Sequence, residues 1–260
     1  MRGVWQWVFA CAWGAGLLAS LLAPLHAETV TVGAEDDWAP YSYAMAGQAE
    51  PQGLAPRLVR AAFQTQGVQV RFKVLPFSRC LHDAEIGRLV GCFDTTRTEA
   101  NSHSFHWHAT PLFKEELGIF ARRGGTGPVS SQAGLTDLVG HSVGITVGYT
   151  YPTDFMRHPD IRRHVAVSDA NLLRMLAGGR VDYILVNTLP AQHHLQRMPE
   201  LQGKVQRVGA LHMDSFWLSF SKVHPDGQRL SVVFEKGLQT LMANGQYQRM
   251  LADVQQAPRP

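Results

Sequence analysis

The sequence lacks the features that mark several large classes of protein. Only 17% of its residues are charged and the formal net charge is +3, so no basic face for nucleic acid is indicated. It contains no G-x-S-x-G nucleophile motif, no Walker phosphate loop and no H-E-x-x-H zinc motif. Hydrophobic residues make up 45% of the chain, which excludes a disordered protein. We therefore predict a globular protein with no cofactor and no nucleic-acid partner.

Long apolar runs are also scarce, and the one that exists stands at the start of the chain. Residues 4–22 follow Arg2 and are almost unbroken apolar sequence, and Pro24 and Ala27 come just before the polar Glu28. This order is typical of a cleaved secretory signal. The alternative is an uncleaved membrane anchor, because the run approaches the roughly 18 to 20 residues that span a bilayer. We predict a signal peptide at residues 1–27 and a periplasmic location.

Cysteine is scarce too, and its positions limit the possible pairing. Of the 3 cysteines, Cys11 lies in the predicted signal, which leaves Cys80 and Cys92 in an oxidising compartment. A disulfide between them would close a small loop from the start of a helix to the following strand. It requires the two Cα atoms to come within about 7 Å. We predict this bridge, and two buried free thiols are the alternative.

Three histidines lie close together in the sequence, at His103, His106 and His108. They suggest a metal site, but no cysteine or acidic ligand accompanies them at a recognisable spacing. We predict a solvated connector at this place and no metal.

Predicted strands and helices alternate through most of the chain. The first half shows strands at 28–33, 68–75 and 89–93 and helices at 53–66 and 78–87. A strand at 117–122 is followed by a turn-rich break at Gly124–Pro128. The rest shows strands at 142–147, 181–187 and 216–221 and helices near 151–156, 169–178, 227–244 and 246–253. This order predicts mostly parallel sheets covered by helices, with a boundary at the break.

Several short motifs occur in the order and spacing of a known family. They are Val32-Gly33 with Trp38-Ala39-Pro40-Tyr41-Ser42-Tyr43, Gly87 to Phe93, Pro111-Leu112-Phe113, Leu138 to Ile145 with Gly148-Tyr149-Thr150, Gly179-Arg180-Val181-Asp182, and Ala243 to Tyr247. On these residues the chain resembles the type 2 periplasmic solute-binding proteins of family 3, related to the polar amino-acid receptors of ABC transporters. The resemblance covers nearly the whole chain after the signal.

The resemblance implies an α/β, two-lobed periplasmic binding protein type II fold, with mostly parallel sheets and two hinge-crossing strands near 117–122 and 216–221. Lobe 1 would be discontinuous, with residues 28–121 and 213–260, and lobe 2 would hold residues 122–212. A ligand that contacts both lobes shifts the population from open to closed. The implied function is capture of a small polar or anionic solute by a monomer that serves an ABC permease or a membrane sensor.

The family's contacts, carried over in a gapless register, place Glu35, Trp38 and Phe77 on the lobe 1 wall of the cleft. Trp38 and Phe77 could sandwich an apolar or planar part of the ligand at little entropic cost. For Phe77 the alternative is ordinary core packing.

The same register carries the site into the segment after the third strand. Thr95 and Arg97 fall on cleft positions, while Ser102 stands where the family has the arginine that binds the ligand's α-carboxylate. We hypothesise that Arg97 is a relocated clamp, since an arginine fork binds carboxylate with charge-assisted hydrogen bonds. Arg79 could supply a second cation. The alternative is that Arg97 pairs with a protein carboxylate such as Asp94.

In lobe 2 the resemblance points to Gly148, Tyr149 and Thr150 at a strand-to-helix turn, where free N–H groups favour an anion. Asn187 stands where the amino-acid receptors have the aspartate that pairs with the ligand's α-ammonium group. Because an amide carries no charge, the altered residues suggest a carboxylate or other anion without an ammonium group.

A second function remains open at this stage, because relatives with this fold include a periplasmic cyclohexadienyl dehydratase. In such an enzyme Glu35 would be the acid and Arg97 the substrate clamp. The chain has no catalytic motif of its own, and we predict a binding protein and not an enzyme.

Overall fold

A computed structural model describes residues 28–45, 47–125 and 132–255. The predicted signal peptide at 1–27 and most of the turn-rich break lie outside these ranges. No helix within them is both long enough and apolar enough to span a membrane.

The first lobe is a mostly parallel sheet covered by helices. Its elements are β1 (Thr29–Glu35), β2 (Asp37–Trp38), β3 (Ser42–Tyr43), α1 (Leu54–Gln64), β4 (Gln69–Leu75), α2 (Phe77–Glu85), β5 (Gly91–Thr95), β6 (Phe105–Trp107), α6 (Gly227–Ala243) and α7 (Gln246–Gln255). Strand β1 pairs in parallel with β4 along its whole length and with β5 at Gly33 and Cys92. One stripe of α1 is buried, at the four-residue spacing of a helix that faces a core.

The second lobe repeats this arrangement on a smaller scale. Its elements are β8 (Ser142–Thr146), α3 (Thr153–Arg157), β9 (Arg162–Ala166), α4 (Asp169–Ala177), β10 (Tyr183–Asn187) and α5 (Thr188–Arg197), with short 3-10 helices at Leu135–Leu138 and Pro199–Leu201. Strand β8 lies between β9 and β10 and is parallel to both. The sequence analysis did not predict β6, where it expected a solvated connector, or β9, because both are short and mix polar with apolar residues.

Two long antiparallel strands join the lobes, β7 (Phe113–Arg122) and β11 (Val205–Ser221). They pair from Val205 and Arg122 to Phe216 and Phe113. Strand β7 also pairs with β10 of the second lobe, and the end of β11 pairs with β5 and β6 of the first. The hydrogen-bonded order is therefore continuous from β4 to β9. Both strands are longer than the sequence predicted, since Glu115, Glu116 and Asp214 interrupt their apolar pattern.

The packing of β7 bears on where the lobes divide. Leu117, Ile119 and Ala121 lie in the same buried cluster as Tyr183 and Leu185 of β10. We therefore propose that the first lobe ends before Leu117, and not at residue 121 as the resemblance suggested.

The predicted disulfide is present between Cys80 on α2 and Cys92 on β5, with the Cα atoms 5.8 Å apart. Its sulfur lies directly against Gly33, where an added Cβ would come within 2.5 Å of the Cys80 Sγ. The bridge thus fastens the helix that begins at Phe77 to the centre of the first sheet.

Candidate cleft between the lobes

A cavity with about 430 Å³ of empty space lies where the two lobes meet at the crossing strands. The lining comes from both lobes and from both crossing strands: Glu35, Trp38, Phe77, Asp94, Thr96, Leu117, Tyr149, Thr150, Tyr151, Leu185, Val186, Asn187, Asp214 and Phe216. The structure thus brings together six of the residues predicted from the sequence, which are Glu35, Trp38, Phe77, Tyr149, Thr150 and Asn187.

Trp38 forms an aromatic wall of the cavity and is also part of the first core. Its side chain is buried, with ring centroids 4.8 Å from both Tyr41 and Phe216. The indole N–H has no hydrogen-bond partner within the described part of the chain. Phe77, at the start of α2, is only partly buried and meets Tyr149 edge to face at 5.7 Å. The ring of Phe77 therefore lines the cleft and also packs against the small core cluster around Cys80 and Cys92.

Glu35 and Tyr149 connect the two lobes directly. The Tyr149 hydroxyl donates a hydrogen bond of 2.6 Å to Glu35 Oε1. Burial and the nearby Asp94 raise the pKa of Glu35 well above its ordinary value, and burial beside Glu35 raises the pKa of Tyr149. Gly148 adds a second contact, because it has φ +79° and an added Cβ would lie 3.1 Å from Ser78 of the first lobe. The lobes therefore touch across the cleft.

Within the ranges that the structure describes, Asp94 is the carboxylate in the cavity wall that lacks hydrogen-bond partners. It is 4% exposed, and neither of its carboxylate oxygens has a hydrogen-bond partner among the residues described. Burial raises its pKa well above the ordinary aspartate value. Its φ of +60° makes it the one described non-glycine residue with a left-handed backbone, at the point where β5 ends. A buried, unpaired carboxylate of this kind is costly unless a ligand or a proton neutralises it.

Asp214 and Asn187 also line the cavity. Asp214 Oδ1 lies 2.6 Å from His212 Nε2, and burial raises the Asp214 pKa against the lowering effects of His212 and Asn187. The Asn187 amide donates to the Glu116 backbone oxygen at 3.3 Å. Asp214 on β11 thus places a carboxylate in the same cavity as Asn187.

Three residues predicted for the site do not line the cavity: Thr95, Arg97 and Arg79. The Thr95 hydroxyl is buried and hydrogen-bonds to the Cys92 backbone oxygen at 3.1 Å. Arg97 and Arg79 are exposed. The reason is the alternation of side chains around the end of β5, which sends Asp94 and Thr96 to the cavity and the odd-numbered positions elsewhere. The register carried over from the family thus selected Thr95 and Arg97 where the cavity wall has Asp94 and Thr96.

Two further predicted positions also lie outside the lining. Ser102 is in a turn, where its hydroxyl donates to the Glu99 backbone oxygen at 2.8 Å. Gly148 precedes the lining residues Tyr149 and Thr150, but the helix expected to follow directly begins only at Thr153 and has five residues. Tyr149 and Thr150 therefore reach the cavity from the loop before this short helix.

The cavity is acidic. Within the described residues its lining contains three carboxylates, Glu35, Asp94 and Asp214, and no lysine, arginine or histidine. The sequence analysis missed Asp94 and Asp214. An aspartate at the carboxyl end of a buried parallel strand was the available signal for Asp94, since ligands bind at that edge of such sheets.

Two α/β lobes joined by two strands, with a polar cleft between them, define a two-lobed binding protein. The model of one family, the bacterial extracellular solute-binding proteins, family 3, matches residues 30–253, and the chain belongs to this family. No curated protein sequence matches the chain.

Solved structures share this fold. A histidine kinase sensor domain with similarity to periplasmic binding proteins has a TM-score of 0.76 at 23% identity, over 89% of this chain and 98% of that one. An ancestral arginine-binding protein bound to arginine has a TM-score of 0.74 at 20% identity, over 87% and 97%. An amino acid ABC transporter substrate-binding protein from Streptococcus pneumoniae, bound to L-arginine, has a TM-score of 0.71 at 19% identity, over 87% of this chain and 94% of that one. At these identities the likeness establishes the fold.

Proposed function

We propose that this solute-binding protein captures a small organic cation in the cleft between its lobes. The observation that carries the proposal is Asp94, a buried carboxylate with both oxygens unpaired at the cavity wall. An ammonium or guanidinium group placed there would donate charge-assisted hydrogen bonds, roughly twice as strong as neutral ones. Trp38 and Phe77 would pack against the apolar part of the same ligand.

A cation replaces the anion that Arg97 and Asn187 suggested from the sequence. An anion in this cavity would face Glu35, Asp94 and Asp214 without any basic side chain among the described lining residues. Like charges at short range in a buried site repel strongly, because little water screens them. A cation relieves the same repulsion and thereby favours the closed arrangement.

We also propose binding without catalysis, in the periplasm, by a monomer that serves an ABC permease or a membrane sensor. The dehydratase alternative needs a clamp for the carboxylate of its substrate, and Arg97, the residue assigned to that role, is outside the lining. Incubation of the purified protein with prephenate or arogenate should yield no aromatic product. An aromatic product would show that the protein is an enzyme.

A thermal-shift panel tests the choice of ligand charge. We expect arginine, lysine and butylamine to raise the melting temperature of the purified protein more than succinate does, because specific binding stabilises the folded state by mass action. Asp94→Asn should abolish this rise, while the exposed Asp160→Asn serves as the matched control and should keep it. A larger stabilisation by succinate, or a full response in Asp94→Asn, would refute the cationic ligand.

A further inference from the structure

A second pocket adjoins the first and shares Glu35, Phe77 and Tyr149 with it. It contains about 660 Å³ of empty space and also has walls from both lobes. The two pockets are therefore parts of one cleft, with Phe77 and Tyr149 at the junction.

Asp169, the first residue of α4, gives this second pocket a buried acidic wall. It is 2% exposed, and its Oδ1 accepts a hydrogen bond of 2.5 Å from the Thr146 hydroxyl. Its Oδ2 has no partner in the described part of the chain. Asp169 thus resembles Asp94 in being a buried carboxylate at a pocket wall with an oxygen that accepts no hydrogen bond within the described residues.

Charge of the same sign faces Asp169 from the other lobe. Asp36 and Asp37 line the pocket from the first lobe, and Asp37 is close enough to Asp169 to raise its pKa. None of the described lining residues of this pocket is basic. Carboxylates on opposite lobes repel one another when the lobes approach, so a cation between them would stabilise closure.

We infer that the second pocket is a cation subsite and that the ligand is a dication with one ammonium group in each pocket, as in an aliphatic diamine. This inference rests on the proposed function. Asp94 lines the first pocket and Asp169 the second, so each pocket offers its own buried carboxylate to one ammonium group. A diamine bridges them, and its methylene chain passes the rings of Phe77 and Tyr149, which are 5.7 Å apart.

A bare metal ion fits the second pocket less well. Divalent cations require several oxygen ligands converging within about 2 to 2.6 Å. Within the described ranges no group of three or more His, Cys, Asp or Glu side chains is placed to hold a metal. The carboxylates are spread along the walls, which suits an extended organic cation.

Calorimetric titration with amines of matched length tests the second subsite. The probes are 1,4-diaminobutane against butylamine and 1,5-diaminopentane against pentylamine. Wild-type protein should bind each diamine at least about tenfold more tightly than the matched monoamine, a ratio that one charge-assisted hydrogen bond supports. In Asp169→Asn this ratio should fall to about one, while Asp160→Asn should keep the wild-type ratio.

Three outcomes separate the inference from the function on which it rests. Binding of monoamines that is lost in Asp94→Asn, together with equal affinity for diamines, would overturn the second subsite and leave the cationic ligand in place. An unchanged ratio in Asp169→Asn would also overturn it. Binding of no amine at all would overturn both. If Asp169→Asn does not fold, Asp37→Asn removes the facing charge from the other lobe and should lower the ratio.

Discussion

Replacing Asp169 by asparagine tests whether the acidic cleft holds carboxyl groups in an unfavourable environment. The substitution keeps the shape of the side chain and an oxygen that can accept the Thr146 hydroxyl hydrogen bond. It removes the ability to ionise and puts an amide NH2 group in place of the unpaired Oδ2. If the free energy of unfolding depends on pH differently in wild type and variant, the difference therefore reports the ionisation of Asp169 and its coupling to neighbouring groups.

The expected size follows from the pKa of the carboxyl. Burial raises the Asp169 pKa from 3.8 to about 7, although the Thr146 hydrogen bond acts in the opposite direction. Between these two values the folded protein holds a proton that the unfolded chain releases, so the free energy of unfolding falls as pH rises. The full difference corresponds to about 4 kcal/mol, of which about 3 kcal/mol lies between pH 4.5 and 7.5.

Urea unfolding of the ligand-free protein at pH 4.5, 5.5, 6.5 and 7.5 measures this slope. We expect wild type to lose about 3 kcal/mol more stability over this range than Asp169→Asn does. Glu35 and Asp94 are also buried with raised pKa values, so the variant should keep part of the slope. Asp160→Asn, an exposed control, should follow wild type. Identical slopes in wild type and Asp169→Asn would refute the reasoning.

Three further predictions concern the lobe contact, the disulfide and the core. Tyr149→Phe removes the 2.6 Å hydrogen bond to Glu35 and should weaken amine binding about fivefold to tenfold by calorimetry, with little effect on unfolding. Replacing Cys80 and Cys92 together by serine should cost about 3 kcal/mol in urea unfolding, as expected for a loop of 12 residues. Phe63→Ala should lower the free energy of unfolding by about 3 to 5 kcal/mol, because Phe63 is 0% exposed. A loss under 1 kcal/mol, in this variant or in the cysteine double variant, would contradict the corresponding prediction.

Much of the architecture was predictable from local patterns. The alternation of strands and helices predicted the α/β fold, because a strand and a helix each show their buried face at their own period. The bridge between Cys80 and Cys92 followed from the small number of cysteines and was confirmed. The extent of β7 and β11 was not predicted, since their hinge portions, with Glu115, Glu116 and Asp214, are polar where they leave the cores.

The electrostatic character of the cleft was not predictable in the same way. A gapless register selected Thr95 and Arg97, but the left-handed backbone at Asp94 and the side-chain alternation place Asp94 at the cavity instead. A shift of one residue along a strand changes which side chains face the cavity. Here it puts the acidic Asp94 in the cavity wall in place of the basic Arg97.

The sequence by itself determined the order of strands and helices, because each element shows its buried face along its own stretch of chain. The two lobes and the cleft positions of Glu35 and Trp38 came from the family resemblance. Only the tertiary structure decided that Asp37 and Asp169 face each other and that Asp214 shares a cavity with Asp94. These residues are far apart in the chain: Asp37 and Asp169 are carried by different lobes, and Asp214 by a crossing strand. Their meeting depends on the hinge strands and the packing of two cores, which no local pattern encodes.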